Sequence, residues 1–214
     1  MTPRTLIIPT LLAALLLPAA AADAKQPPSC TRGGATLAAA SGKVRVISRK
    51  LKTESTQETR REGISACWAP TGKRFRIATE QDFGDDLRSS TRVDIVDERY
   101  VGVVLTGEGG VSIGVTASVF DARQAKRLHR STVCDVDDDD FRGPDDVEFL
   151  PKGGMAFTCG PLWLFRDAAQ KSPAMLEPAS ARPRSLGLAA NSDAFIDRLY
   201  WTVEPGVAKS LDLT

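Results

Sequence analysis

The residues with the most evident chemical potential form an acidic run. Asp135, Asp137, Asp138, Asp139 and Asp140 are followed by Asp145 and Asp146. Carboxylates at alternate positions can converge on Ca²⁺, a hard cation that takes six to eight oxygen ligands. Set on a twelve-position calcium loop, Asp135, Asp137 and Asp139 fall at positions 1, 3 and 5, and Asp146 falls at position 12. Two positions depart from that pattern. The sixth, where Gly allows the sharp turn, is Asp140, and the twelfth is Asp where the longer Glu is usual. No helical pattern flanks the run. The simpler expectation is a solvated loop beside Cys134, its mutual repulsion relieved by counterions. Asp135, Asp137, Asp139 and Asp146 stand as the candidate metal ligands.

Nucleophilic chemistry has one candidate string. Gly110-Val111-Ser112-Ile113-Gly114 matches the G-x-S-x-G nucleophile elbow, which requires a strand, a strained turn and then a helix. Here the string lies within a β-branched run, and the chain's single histidine, His129, follows Ser112 by only seventeen residues. A strand containing small residues is the better expectation, and no catalytic residue is assigned. His129, between Leu128 and Arg130, reads as an exposed strand-end residue. One histidine also excludes a multi-His metal centre. Trp68, Trp163 and Trp201 could form a stacking surface for carbohydrate or peptide. Each follows an apolar or cysteine neighbour within an apolar stretch, so core packing is expected. The 27 acidic residues leave room for a carboxylate pair of the glycoside-hydrolase kind. No Gly-rich phosphate loop precedes a helix, and Gly107 to Gly110 reads as a hairpin connection.

The surroundings of these residues follow from the ends and the cysteines. Arg4, the apolar stretch Leu6 to Leu17, Pro18 and the small residues Ala20 and Ala22 form an export signal over residues 1–22. A twelve-residue apolar helix reaches about 18 Å, short of the roughly 30 Å hydrocarbon core, so a permanent anchor is disfavoured. Cleavage after Ala22 removes one of the 28 cations, leaving charges balanced against the 27 anions. A neutral chain argues against nucleic acid as a partner. Four cysteines in an exported chain imply two disulfides. Three pairings are possible; Cys30–Cys67 and Cys134–Cys159 are favoured because each joins residues near in sequence. The expected product is secreted, without a transmembrane segment, and monomeric.

Residues 23–34 read as a linker and residues 35–214 as one domain. Val44-Arg45-Val46-Ile47 alternates with the period of a half-buried strand. Ile64 to Trp68, a turn at Ala69-Pro70-Thr71-Gly72, and Arg74 to Ile77 form a β-hairpin. Val93 to Val96, Tyr100 to Leu105, Val111 to Phe120, Val147 to Leu150, Met155 to Cys159, Leu162 to Phe165 and Leu199 to Val203 continue the pattern. Asp121 to Lys126 reads as a further hairpin turn. Helical signals are weak, which predicts an all-β sandwich, barrel or propeller.

A repeat favours the last. Cys67-Trp68, Val119-Phe120 and Leu164-Phe165 each precede a polar turn and a lysine, at Lys73, Lys126 and Lys171, so successive lysines lie 53 and 45 residues apart. Ser185 to Leu213 would be a fourth unit. Ile196-Asp197-Arg198-Leu199-Tyr200-Trp201-Thr202 resembles one YWTD-type blade, and Val119-Phe120-Asp121-Ala122 resembles the strand and turn of TolB-like blades. Val203 stands where the YWTD motif has Asp, which removes that residue's buried hydrogen bonding between blades. The resemblance, over about 150 residues, implies a small or partial β-propeller-like array of antiparallel sheets, in which a blade takes about 45 residues. The expected function is a secreted, non-enzymatic binding module with an unidentified protein or extracellular ligand. The alternative is a secreted carboxylate-dependent hydrolase stabilised by Ca²⁺.

Overall fold

The computed structural model describes residues 30–84, 87–109, 112–135, 147–190 and 196–213. The expected leader over residues 1–22 and the first part of the expected linker lie outside them. The described chain is all-β and antiparallel, with two short 3₁₀ turns at Pro151–Gly153 and Ala179–Ala181. Its strands follow one another as four meanders. The first is β1 (Thr36–Ser41), β2 (Val44–Lys50), β3 (Arg60–Trp68) and β4 (Lys73–Asp82). The second is β5 (Leu87–Val96), β6 (Tyr100–Gly109), β7 (Ser112–Asp121) and β8 (Lys126–Asp135). The third is β9 (Val147–Leu150), β10 (Gly154–Thr158), β11 (Leu162–Phe165) and β12 (Ala174–Glu177). The fourth is β13 (Arg184–Ala190), β14 (Ile196–Val203) and β15 (Val207–Asp212).

The first two meanders share one eight-stranded sheet. The seam between them is thin: β4 and β5 share one registered pair, Asp82 with Arg88, whereas β6 and β7 are paired from Tyr100–Asp121 to Gly109–Ser112. The third and fourth meanders are separate sheets of four and three strands. The expected hairpin is β3–β4, and Lys73 and Lys126 each open the fourth strand of their meander.

Alternation along the strands explains how these sheets stack. Successive residues point to opposite faces, so a strand apolar at every position can bury both. On β6, Val101 and Val103 join Val44, Val46, Ile64 and Ala66 of the first meander in one core. Their neighbours Tyr100 and Val104 join Val147, Phe149, Met155 and Phe157 of the third meander in another. Gly102 permits this second contact, because a Cβ there would run into the Phe149 ring. A third core sets Leu150, Ala156, Leu162 and Leu164 against Leu186, Leu199, Trp201 and Val203. Each fully buried Val, Leu or Phe contributes about 1.5–3 kcal/mol. The three cores thus lie between consecutive meanders.

Cys30 and Cys67 form a disulfide, with Cα atoms 5.9 Å apart, that ties the segment before β1 to the end of β3. No described cysteine is free. The Cys134 side chain lies outside the described part, so the second pairing belongs with the proposals below.

Candidate functional site

The residues singled out by the sequence do not form one site. Asp135 closes β8, but its side chain and the whole of Asp137, Asp139 and Asp146 lie outside the described residues. Among the described residues, no three His, Cys, Asp or Glu side chains gather as metal ligands. Ser112 opens β7 opposite Gly109, and Gly114 faces Gly107, so the described part of the string, Ser112 to Gly114, runs along a strand, and Gly110 and Val111 lie outside the described residues. Trp201 is buried in the third core, and Trp68 and Trp163 pack against the other two, as their apolar settings imply. The Trp201 indole N–H donates to Glu177 at 3.3 Å, and Lys209 reaches the same carboxylate oxygen at 2.6 Å.

His129 corrects the expectation of an exposed strand-end residue. It is 4% exposed, within β8, opposite Val119. Its ring stacks on Phe165 at 4.3 Å, and Nε2 meets the Asp167 carbonyl at 2.8 Å. Burial pushes its pKa below the usual histidine range, opposed in part by hydrogen bonds that the ring makes to the Asp167 and Gly153 backbone. The polar neighbour Arg130 misled the reading, because period-two alternation sends it and His129 to opposite faces.

Asp121, of the quoted blade-like stretch, is also structural. Its buried carboxylate accepts from the Gln124 amide at 3.1 Å and pairs with Arg99 at 2.6 Å, fixing the β7–β8 turn. The hydrogen bond to Asp121 in turn raises the Arg99 pKa.

The side chains that converge on a cavity are ones the sequence did not single out. β5, β9 and β13, the first strands of the second, third and fourth meanders, approach one another. Between them lies a pocket of about 390 Å³ lined by Arg92, Asp94, Glu148, Phe149, Leu188 and Ile196, among others. Cavities of roughly this size hold small ligands. Arg92 organises the floor. Its guanidinium lies 5.8 Å from the Phe149 ring centre, donates to the Val147 carbonyl, and holds Asp94 at 3.1 Å. Asp94 and Arg92 share the face of β5 opposite Val93 and Ile95, which pack toward the first meander. The pocket therefore combines one fixed cation, two carboxylates and an apolar wall. Arg92 and Asp94 stand two residues apart in one strand, and that spacing was the available signal. Glu148 comes from another meander and gave none. A scan against protein-family models, a search of curated proteins and a search of solved structures return no match for this chain.

Proposed function

We propose that the chain is an exported, non-enzymatic binding module built as a partial propeller-like array. The observation that carries it is the pocket where the first strands of three consecutive meanders meet, lined by Arg92, Asp94 and Glu148. A propeller gathers the inner strands of its blades around an axis, and pockets there take ligands. Three further features support the array: the thin Asp82–Arg88 seam, the cores between consecutive meanders, and the place of Ile196–Thr202 in β14. In the position where a YWTD-type blade has Asp, Val203 is buried in the third core, so packing replaces polar contact there. Export rests on the leader and agrees with the Cys30–Cys67 disulfide. Among the described residues no helix is long and apolar enough to cross a membrane. Cys134–Cys159 completes the proposed disulfides.

A second reading, a carboxylate-dependent hydrolase, is favoured by the presence of Asp94 and Glu148 in one pocket. Calcium at Asp135, Asp137, Asp139 and Asp146 would belong to it as a stabiliser, and EDTA would then lower the melting temperature.

One experiment separates the two. The mature protein is offered a panel of extracellular oligosaccharides and peptides, and retained material is weighed by mass spectrometry. The binding reading expects an intact ligand whose affinity drops about tenfold when Leu188→Arg fills the pocket. Ligand recovered cleaved, with cleavage lost in Glu148→Gln, establishes the hydrolase. Retention unaffected by Leu188→Arg places binding outside this pocket and overturns the reading.

A further inference from the structure

The outward face of the first meander carries an arrangement that neither reading uses. Strand register puts Arg45, Cys67 and Arg74 on one rung, and Ile47, Ser65 and Arg76 on the next. These rungs face away from Val44, Val46, Ile64 and Ala66, which fill the core toward the second meander. Between them runs a groove of about 240 Å³, lined by Ala35, Ile47, Gly63, Ser65 and Phe75 and by the guanidinium-bearing Arg49, Arg74 and Arg76.

The groove is built. Gly63 leaves room for Arg76 to lie across β3, since a Cβ there would come within 2.5 Å of the Arg76 Cζ. Arg76 also donates to the Thr79 hydroxyl at 3.2 Å. Arg74 donates to the Arg32 carbonyl at 2.9 Å. That carbonyl belongs to the segment which the Cys30–Cys67 disulfide pins over this sheet, so the disulfide fixes one wall. Among the described residues, Arg49, Arg74 and Arg76 have no carboxylate within ion-pair distance. The carboxylates nearest in sequence are committed elsewhere: Glu54 and Glu58 to Arg61, and Glu62 and Glu80 to Arg60. Three like charges are thus held around one groove, and an anionic partner would relieve their repulsion.

We propose that this groove binds a polyanionic glycan, one carrying sulfate or phosphate groups along its chain. Guanidinium groups recognise such oxyanions through paired N–H donors. The spacing argues for several anions. Arg74 and Arg76 start about 7 Å apart along β4, and Arg49 starts about 10 Å away across β3, by ordinary strand dimensions. A phosphate seated between Arg74 and Arg76 leaves Arg49 for a second anion. A chain with charged groups at saccharide spacing can reach all three, while a hydroxyl meets Ser65.

Isothermal titration of the mature protein with a heparin-derived octasaccharide tests this, with inorganic phosphate, an octagalacturonate, single-stranded DNA of equal charge and phosphatidylglycerol vesicles as parallel titrants. The octasaccharide binds saturably, and Arg49→Gln/Arg74→Gln/Arg76→Gln weakens it about 100-fold while lowering the slope of log affinity against log salt by about 2–3. Arg60→Gln, on a neighbouring paired cation, changes neither. Phosphate and octagalacturonate bind at least tenfold more weakly. Unchanged affinity in the triple variant overturns the site. Equal or tighter binding of phosphate, octagalacturonate, DNA or vesicles overturns the ligand class. Circular dichroism and an intact disulfide confirm folding of the triple variant, and if it is unfolded Arg49→Gln alone is read, with about a fivefold loss expected. The Leu188→Arg variant leaves this binding intact, so the two sites fail independently.

Discussion

The first and second meanders are the two four-stranded halves of one antiparallel sheet, yet they use the alternation of their strands differently. In the second, both faces of β6 are apolar and both are covered, by the first meander on one side and the third on the other. In the first, β2 sends Val44 and Val46 inward and Arg45 and Arg49 outward, and the outer face is held by a disulfide where the second meander has a neighbouring sheet. A sheet covered on both faces gains its stability from packing. A sheet covered mainly on one face has a second surface free to carry charge, and its stability comes from one large core, a covalent tie and the small cluster of Ile47, Ala35 and Ala69 around that tie.

That contrast is broken most severely by hollowing the doubly covered side. Phe149, 3% exposed, fills the space above Gly102 in the core between the second and third meanders. Phe149→Ala is expected to lower the unfolding free energy by about 3–5 kcal/mol, measured by urea denaturation. A loss below about 1 kcal/mol would show that this core does not hold the two meanders together. On the singly covered side, Cys30→Ser/Cys67→Ser opens a loop of sequence separation 37 and is expected to cost about 3–4 kcal/mol. The same variant also weakens octasaccharide binding, because the wall containing Arg32 is released, whereas Phe149→Ala leaves the arginines in place.

The interface between the second and third meanders also carries a pH dependence near neutrality, through the chain's single histidine. His129 has a folded pKa depressed by burial, so the folded state favours the neutral ring. The unfolded chain takes up a proton near the ordinary histidine value while the folded chain does not, so stability rises with pH through this window. It is fully present above about pH 6.5 and is lost as pH falls through the folded pKa. The melting temperature should therefore drop between pH 7.5 and pH 5, and His129→Gln should flatten that part of the curve. An unchanged slope in the variant would assign the acid sensitivity to other groups.

How much of this was legible follows residue by residue. The hairpin from Ile64 to Ile77 was readable because alternation and a Pro–Gly turn coincide, and the lysines at 73 and 126 fall at the entry to a fourth strand. β1 was missed because Thr36–Ser41 reads TLAAAS, and Ala carries no strand preference. β8 was visible only as the return of a hairpin, since its polar face hides the inward His129. Of the two proposed surfaces, only the Arg92 and Asp94 spacing was visible in the sequence. Asp94 and Glu148 are brought together by the stacking of meanders, and Arg49, Arg74 and Arg76 by strand register across β3. Net neutrality further concealed a local excess of cations, because composition averages over faces that never meet.

The smallest expected effect is the most discriminating. Arg49, Arg74 and Arg76 are exposed, and their protein partners are neutral: the Arg32 carbonyl for Arg74 and the Thr79 hydroxyl for Arg76. Replacing any one with Gln should shift stability by no more than about 0.5 kcal/mol, in the stabilising direction at low salt where mutual repulsion is least screened. A structural arginine behaves in the opposite way. Arg99→Gln breaks the pair with buried Asp121, leaves that carboxylate without its cation, and should cost about 1–3 kcal/mol. Thermal melts of the four variants at 20 mM and 500 mM salt make the distinction. If Arg49→Gln or Arg76→Gln destabilises as Arg99→Gln does, the outward arginines hold the sheet together. If they are neutral or stabilising, the outward arginines have no folding role, as the proposed anion site requires.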